Sequence, residues 1–171
     1  MSVIRRCACS LSVALLLAAC DSGPAKPEIQ DPNLSDCGPS EGVVAKVIDG
    51  DTIVLESGEK IRYLMVDTPE ITNGHNDCYG DMAREYNAEL ALGQPVELTY
   101  DEECTDKYGR LLAYVDTPDG EINTLLIQRG YACVLYIPPN GSDRHDEFMT
   151  FEADARASRK GMWGACGDPC E

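Results

Sequence analysis

Three strand-like segments follow one another with only turn-length connections between them, and this restricts the fold more than any other feature. Residues 42–48 alternate apolar and polar side chains, Asp49-Gly50 is a strong two-residue hairpin signal, and residues 52–55 return as a second strand. Ser57-Gly58-Glu59 turns the chain again, and residues 61–66 form a third, mostly apolar strand. Residues 81–92 then carry Met82, Ala83, Tyr86 and Leu90 at helical spacing, stopped by Gly93. Strands are expected at 96–100 and 111–115, a short helix at 123–129 before Gly130, and a longer helix at 143–160. The longer helix sets Phe148, Phe151 and Ala155 on one face, and its basic end (Arg156, Arg159, Lys160) and Gly161 suit the helix dipole and the C-cap.

Three strands, a helix, two strands and then helices predict an α+β architecture that is mainly β. A five-stranded OB-type barrel with packed helices fits that order.

The N-terminus reads as a targeting segment. Residues 1–19 hold Arg5 and Arg6, a short apolar stretch over 7–17, and the ending Leu17-Ala18-Ala19-Cys20. The apolar run is shorter than the roughly 20 residues that span a bilayer. The Leu-Ala-Ala-Cys ending resembles the lipobox of bacterial lipoproteins, which predicts cleavage before Cys20 and lipidation of that cysteine. A plain secretory signal with a coincidental cysteine is the competing reading. Residues 20–36 are polar and proline-rich, a disordered tether that reaches roughly 55 Å when stretched. Residues 37–171 are then one domain of ordinary size. These features predict an exported lipoprotein, anchored to a membrane at the cell envelope or surface or released from it.

Cysteine usage agrees with export. Of nine cysteines, Cys7 and Cys9 leave with the signal and Cys20 is acylated, so Cys37, Cys78, Cys104, Cys133, Cys166 and Cys170 remain. An even number in an exported domain predicts three disulfides, whose connectivity the spacing leaves open. The one pairing expected is Cys78 with Cys104, because one precedes the first helix and the other ends the strand after it. No zinc framework is visible, since Cys166 and Cys170 are the only close pair and no His lies near them.

Charge argues in another direction. The chain carries −16, and once Arg5 and Arg6 are gone 12 basic residues face 30 acidic ones, a net −18. Nucleic-acid binders are expected to be basic. The acids are concentrated, however, in the tether, in Asp101-Glu102-Glu103 and over 143–154. A solvated acidic surface says nothing about one local site.

Three short stretches carry the chemistry: Asp49-Gly50-Asp51-Thr52, then Arg62 with Val66-Asp67-Thr68-Pro69-Glu70, then Asp106-Lys107-Tyr108-Gly109-Arg110. A hairpin turn accounts for Asp49 and Gly50 but leaves Asp51 without a structural role. Asp67-Thr68-Pro69-Glu70 could be a turn opened by proline, and Asp116-Thr117-Pro118-Asp119 repeats that pattern where a turn explains it fully. The first copy differs in having Asp51 on the neighbouring hairpin and Arg62 five residues upstream. Two carboxylates and a Thr68 carbonyl suit a hard cation such as Ca²⁺. Arg62 and Arg110 could grip a phosphate with forked donors. Lys107-Tyr108-Gly109-Arg110 could equally be a basic loop before a strand.

The three motifs, in this order and spacing, closely resemble the staphylococcal nuclease (thermonuclease) family. The resemblance runs from about Gly42 to Trp163, through Pro139-Asn140 and Lys160-Gly161-Met162-Trp163. It implies an OB barrel with three helices and Ca²⁺-dependent hydrolysis of DNA or RNA at the P–O5′ bond, leaving 3′-phosphate ends. Asp51 and Asp67 match carboxylate ligands of Ca²⁺, and Thr68 matches a carbonyl ligand. Glu70 matches the general base, Arg62 and Arg110 the two arginines that stabilise the transition state, and Lys107 and Tyr108 contacts to a nucleotide's terminal phosphate. The chain departs from the family's archetype, which is basic and lacks cysteine. The aromatic pattern over 134–137 does not align, so Tyr136 receives no role.

The expected partners are therefore a DNA or RNA substrate and a membrane, with the protein a monomer. Two rival readings remain. One is a non-catalytic module of the same fold that binds nucleic acid or protein at the cell surface. The other is a Ca²⁺-binding surface lipoprotein with a structural role, for which Arg62 and Arg110 would be dispensable.

Overall fold

The computed structural model describes residues 36–72, 74–167 and 169–170. The expected signal peptide, Cys20 and the tether up to residue 35 lie outside the described residues.

Five strands close a barrel: β1 (Glu41–Val47), β2 (Thr52–Leu55), β3 (Lys60–Tyr63), β5 (Pro95–Thr105) and β6 (Leu111–Thr117). β1, β2 and β3 form an antiparallel meander, β1 also pairs with β5, and β5 with β6. The seam is the parallel pairing of β3 with β6, where Arg62 faces Leu112. β1 serves two neighbours because its register shifts between Val44 and Lys46, a bulge that bends the strand around the corner. Ile53, Leu55, Ile61, Tyr63, Val96, Ala113 and Val115 fill the interior, continuous with Ile122, Leu126 and Ile127 of α2 (Ile122–Arg129) and Phe148 of α3 (His145–Ala157).

The third predicted strand does not run unbroken over 61–66. It leaves the barrel at Leu64, and β4 (Met65–Asp67) pairs instead with β8 (Cys133–Leu135), which sequence analysis did not assign. Met65 makes the break with φ of 63°, a left-handed conformation unfavourable for a side chain of its size. Asn123, fully buried on α2, stabilises the break by donating to the Leu64 carbonyl at 2.9 Å. The result leaves Asp67 exposed at the end of β4.

α1 (Gly80–Ala91) sits where expected but is rotated from the predicted stripe: Ala83, Asn87 and Ala91 are buried, and Met82 is exposed. β5 continues five residues beyond its predicted end, through the acidic run. Asn140 is the reason, since its amide donates to the Glu103 carbonyl and its oxygen accepts from the Glu103 amide. Two short elements complete the order, β7 (Gly120–Glu121) and α4 (Met162–Ala165).

Three disulfides join Cys37 to Cys104, Cys78 to Cys166 and Cys133 to Cys170. This corrects the expected pairing of Cys78 with Cys104. Proximity in sequence order misled there: the extension of β5 carries Cys104 to the start of the domain, while Cys78 at the head of α1 meets the segment that follows α4.

Candidate active site

The hairpin between β1 and β2 is wider than a two-residue turn. The Ile48 amide donates to the Thr52 carbonyl at 2.9 Å, leaving Asp49, Gly50 and Asp51 as its tip. Gly50 is there for close approach, because a β-carbon on it would meet the Thr68 side chain. That approach lets the Thr68 amide (3.0 Å) and hydroxyl (2.9 Å) both donate to Asp51 Oδ2.

Asp51 Oδ1 faces two further donors, Arg62 Nε at 3.1 Å and the Thr52 hydroxyl at 3.1 Å. Arg62 is itself almost fully buried. Its guanidinium spans the site, with Nη2 3.0 Å from Asp67 Oδ1 and Nη1 donating to the carbonyls of Tyr63 and Val66. β3 therefore fixes Arg62, and β4 delivers Asp67 and Thr68 to the same place.

Arg110 approaches from the loop before β6. Asp106 organises that loop, its Oδ1 accepting from the amides of Tyr108 (2.9 Å) and Arg110 (3.0 Å), while Oδ2 holds Arg110 Nε at 2.7 Å. Burial pushes the Asp106 carboxyl up, but these donors outweigh it and hold it below the usual range. Arg110 Nη1 then reaches the Thr52 hydroxyl at 3.4 Å. Thr52 thus links the two halves of the site, accepting from Arg110 and donating to Asp51.

Glu70 stands at the exposed rim. Its Oε1 accepts from the Ile71 amide, the Thr72 amide and the Thr72 hydroxyl, and the Thr72 hydroxyl in particular holds the carboxyl below its ordinary range. Tyr108 is 72% exposed, with Lys107 Nζ 5.0 Å and the Arg110 guanidinium 5.6 Å from its ring centre.

Asp49, Asp51, Arg62, Asp67, Thr68, Glu70 and Arg110 line one pocket of about 190 Å³. Four carboxylates meet two guanidiniums, an excess of two negative charges. Burial and the charge of Asp51 raise Asp49 to about 6, and burial raises Asp67 despite Arg62 beside it. Arg62 and Arg110 also line an adjoining cleft of about 420 Å³, walled by Tyr108, Leu112, Leu135 and Ile137, with Lys107 at its edge. All eight predicted site residues therefore lie on one continuous surface.

Sequence reasoning missed several contributors. Asp49 was read only as a turn residue, and Thr52 was quoted in a motif without a role. Asn87 gave no local signal: from α1 it accepts from the Tyr63 hydroxyl at 2.7 Å and donates to the Asp49 carbonyl at 3.0 Å, pinning the hairpin tip.

Residues 60–165 match the profile of a protein family described as Staphylococcal nuclease homologue. Among similar proteins, endonuclease YncB of Bacillus subtilis (strain 168) is 38% identical over 129 residues, 71% of this chain and 61% of that protein. The SPbeta prophage-derived endonuclease YokF of the same strain is 36% identical, covering 71% of this chain and 43% of that protein. A thermonuclease of Staphylococcus intermedius is 39% identical over 123 residues, 69% of this chain and 71% of that protein. The chain thus spans less than two thirds of the two Bacillus proteins.

Proposed function

The chain belongs to the family of staphylococcal nuclease homologues, and on that premise we propose that it is a Ca²⁺-dependent nuclease. It hydrolyses DNA or RNA at the P–O5′ bond and leaves 3′-phosphate ends. The observation that carries this reading is the 190 Å³ pocket in which four carboxylates outnumber two guanidiniums.

The donor set fits a hard divalent cation. All the candidate ligands are oxygens, and the pocket's excess of two negative charges equals the charge such an ion brings. Asp51 and Asp67 would hold it through their carboxylates and Thr68 through its carbonyl. When bound, Ca²⁺ supplies positive charge against the phosphate oxygens.

The chain's own residues do the rest. Arg62 and Arg110 flank the phosphodiester and stabilise the charge that builds on its oxygens as water attacks phosphorus. Both act electrostatically, as forked N–H donors to the phosphate oxygens. Glu70 accepts the proton of the attacking water through Oε2, since the loop donors converge on Oε1. The P–O5′ bond breaks, and the departing O5′ takes a proton from solvent. Tyr108 and Lys107 lie beside the adjoining cleft, where they contact the nucleotide and its terminal phosphate.

The same reading places the protein outside the cytoplasm as a monomer, anchored through a lipid on Cys20. What supports this is the leader over 1–19, the Leu17-Ala18-Ala19-Cys20 ending and the even set of cysteines in the domain. Mass spectrometry of the mature N-terminus tests it, since an unmodified N-terminus away from Cys20 would remove the anchor.

The decisive experiment is hydrolysis of single-stranded DNA and of RNA by the oxidised protein, with Ca²⁺ and with chelator. Glu70→Gln and Arg110→Ala are run alongside. Ca²⁺-dependent cleavage to 3′-phosphates, lowered at least about 100-fold in both variants, is expected. A folded, Ca²⁺-loaded protein that cuts neither polymer would leave the non-catalytic binding module as the reading.

A further inference from the structure

Four of the eleven basic residues in the described part gather at one place, where the C-terminal ends of α2 and α3 meet: Arg129, Arg156, Arg159 and Lys160. The junction is tight, with the Met162 amide donating to the Gly130 carbonyl at 2.8 Å and Lys160 Nζ reaching the Gln128 carbonyl at 3.2 Å. Arg156 lies over the Trp163 ring at 4.3 Å. Helix-end carbonyls favour cations, and they explain the position of Lys160. They do not explain why Arg129, Arg159 and Lys160 are all exposed and why none of the four forms an ion pair among the described residues. On a protein this acidic, that concentration is unusual.

A tyrosine stack joins this patch to the catalytic pocket. Tyr131, next to Gly130, stacks on Tyr86 with ring centres 4.3 Å apart and meets Tyr79 at 5.4 Å. Tyr79 belongs to the Glu70 loop. The Asp77 amide donates to the Glu70 carbonyl at 2.9 Å, and the Glu70 amide donates back to Asp77 Oδ2 at 3.1 Å. Gly80 packs so closely on this loop that a β-carbon there would lie 2.9 Å from the Pro69 carbonyl oxygen. On the other side, Cys133 pairs directly with Asp67 across β4 and β8. Arg129 is four residues before Cys133, at most about 14 Å from it. A path therefore runs from Glu70 past Asp77 to Tyr79, to Tyr131, which Glu89 also faces, and to the basic patch.

We propose that the face made by Tyr79, Tyr131, Arg129, Arg156, Arg159 and Lys160 carries a single strand of nucleic acid out of the catalytic pocket. Aromatic rings that bases can stack on, followed by cations that track phosphates, are what sequence-tolerant single-strand binding uses. The patch also accounts for how so acidic a chain retains a polyanion: attraction is confined to one track. This inference rests on the nuclease reading of the pocket.

The test uses the Glu70→Gln protein, so that binding is read without cleavage. Fluorescence anisotropy with a single-stranded oligonucleotide of about 20 nucleotides is measured across ionic strength. Adding Arg129→Glu and Arg159→Glu, two exposed side chains, should weaken binding at least about tenfold and lower the salt slope by about 1.4. Tyr79→Ala should weaken it about tenfold and erode the preference for single over double strands. Thermal melts check that each variant is folded. Unchanged affinity and salt slope in the double charge reversal, or no oligonucleotide binding at all, would overturn the proposal. So would loss of binding to anionic lipid vesicles with oligonucleotide binding intact, which would assign the patch to a membrane. Wild-type cleavage is measured separately, so a failed track is distinguishable from a failed nuclease.

Discussion

The side chain of Thr68 occupies the space that a β-carbon on Gly50 would need. An ideal Cβ there would lie 2.6 Å from Thr68 Cγ2 and 2.7 Å from its Oγ1. Gly50→Ala must therefore push Thr68 away and lengthen both of its hydrogen bonds to Asp51 Oδ2. Overpacking of this kind destabilises by about 1–3 kcal/mol. Activity should fall by about 100-fold or more, because a shift of about 1 Å at a positioned group is enough for that. Denaturant melts and kcat/KM on single-stranded DNA check both halves. Near-normal activity would mean that the Thr68–Asp51 contact does not matter for the chemistry.

Arg62 supplies the positive charge between two carboxylates, one of them buried. Arg62→Gln leaves Asp51 inside the protein with only hydroxyl and amide donors, a loss expected to cost about 3–5 kcal/mol. Arg62→Lys recovers only part of it, because a single ammonium cannot reach Asp51, Asp67 and two carbonyls together. The same substitution should enlarge the rise in Tm on adding Ca²⁺, since the cation then supplies charge that the guanidinium had provided. Urea denaturation and melts with and without Ca²⁺ read these effects. An equal Ca²⁺ shift in variant and wild type would refute the second.

What could be read from the sequence was what is local. Asp51 with Thr52, Asp67 through Glu70 and Asp106 through Arg110 are contiguous runs, and each carries its own turn chemistry. The strand order followed from connectors too short for anything but hairpins. Contacts made between distant segments were hidden. The break at Met65 depends on Asn123, 58 residues later in the chain. The continuation of β5 through an acidic run depends on Asn140. Gly50 looked like a hairpin glycine because only the folded chain brings Thr68 against it. The α1 stripe was misjudged because a buried asparagine looks polar to any periodicity argument.

Asn87 makes a separate prediction. It is fully buried and joins the Tyr63 hydroxyl to the Asp49 carbonyl. Asn87→Leu strands both groups and should cost about 2–4 kcal/mol. Adding Tyr63→Phe should recover part of that loss, because one stranded group is then gone. A double-mutant cycle by urea unfolding gives the coupling. Strict additivity would mean that the two side chains do not share a bond.

Asp106 sets a pH dependence of definite sign. Its carboxyl lies below the usual range in the folded protein, burial being outweighed by the donors of Arg110 and Tyr108. A depressed carboxylate stabilises the fold fully above its unfolded value of about 3.9 and loses that contribution as pH falls through the folded value. Asp106→Asn keeps an oxygen for the two loop amides but loses the pairing with Arg110. Wild type should therefore exceed the variant by about 1 kcal/mol at neutral pH, and the gap should close as pH falls below about 4. Urea titrations over that range check it. A gap that persists or widens in acid would mean the loop gains nothing from the charge.

Of the three disulfides, one bears on the Glu70 loop and another lies away from it. Cys78–Cys166 closes a separation of 88 residues and fixes the chain eight residues after Glu70, whereas Cys37–Cys104 closes 67 residues and ties down the domain's first residues. Chain entropy makes each worth about 4–5 kcal/mol, so replacing either pair with serine should lower Tm by a similar amount. Their effects on catalysis should differ. Loss of Cys78–Cys166 frees the segment that holds Glu70 against Asp77 and Tyr79, and kcat should drop about tenfold. Loss of Cys37–Cys104 should leave kcat within about twofold at temperatures where the variant is folded. Peptide mapping of the unreduced protein comes first, and recovery of Cys78 joined to Cys104 would overturn the pairing on which this contrast depends.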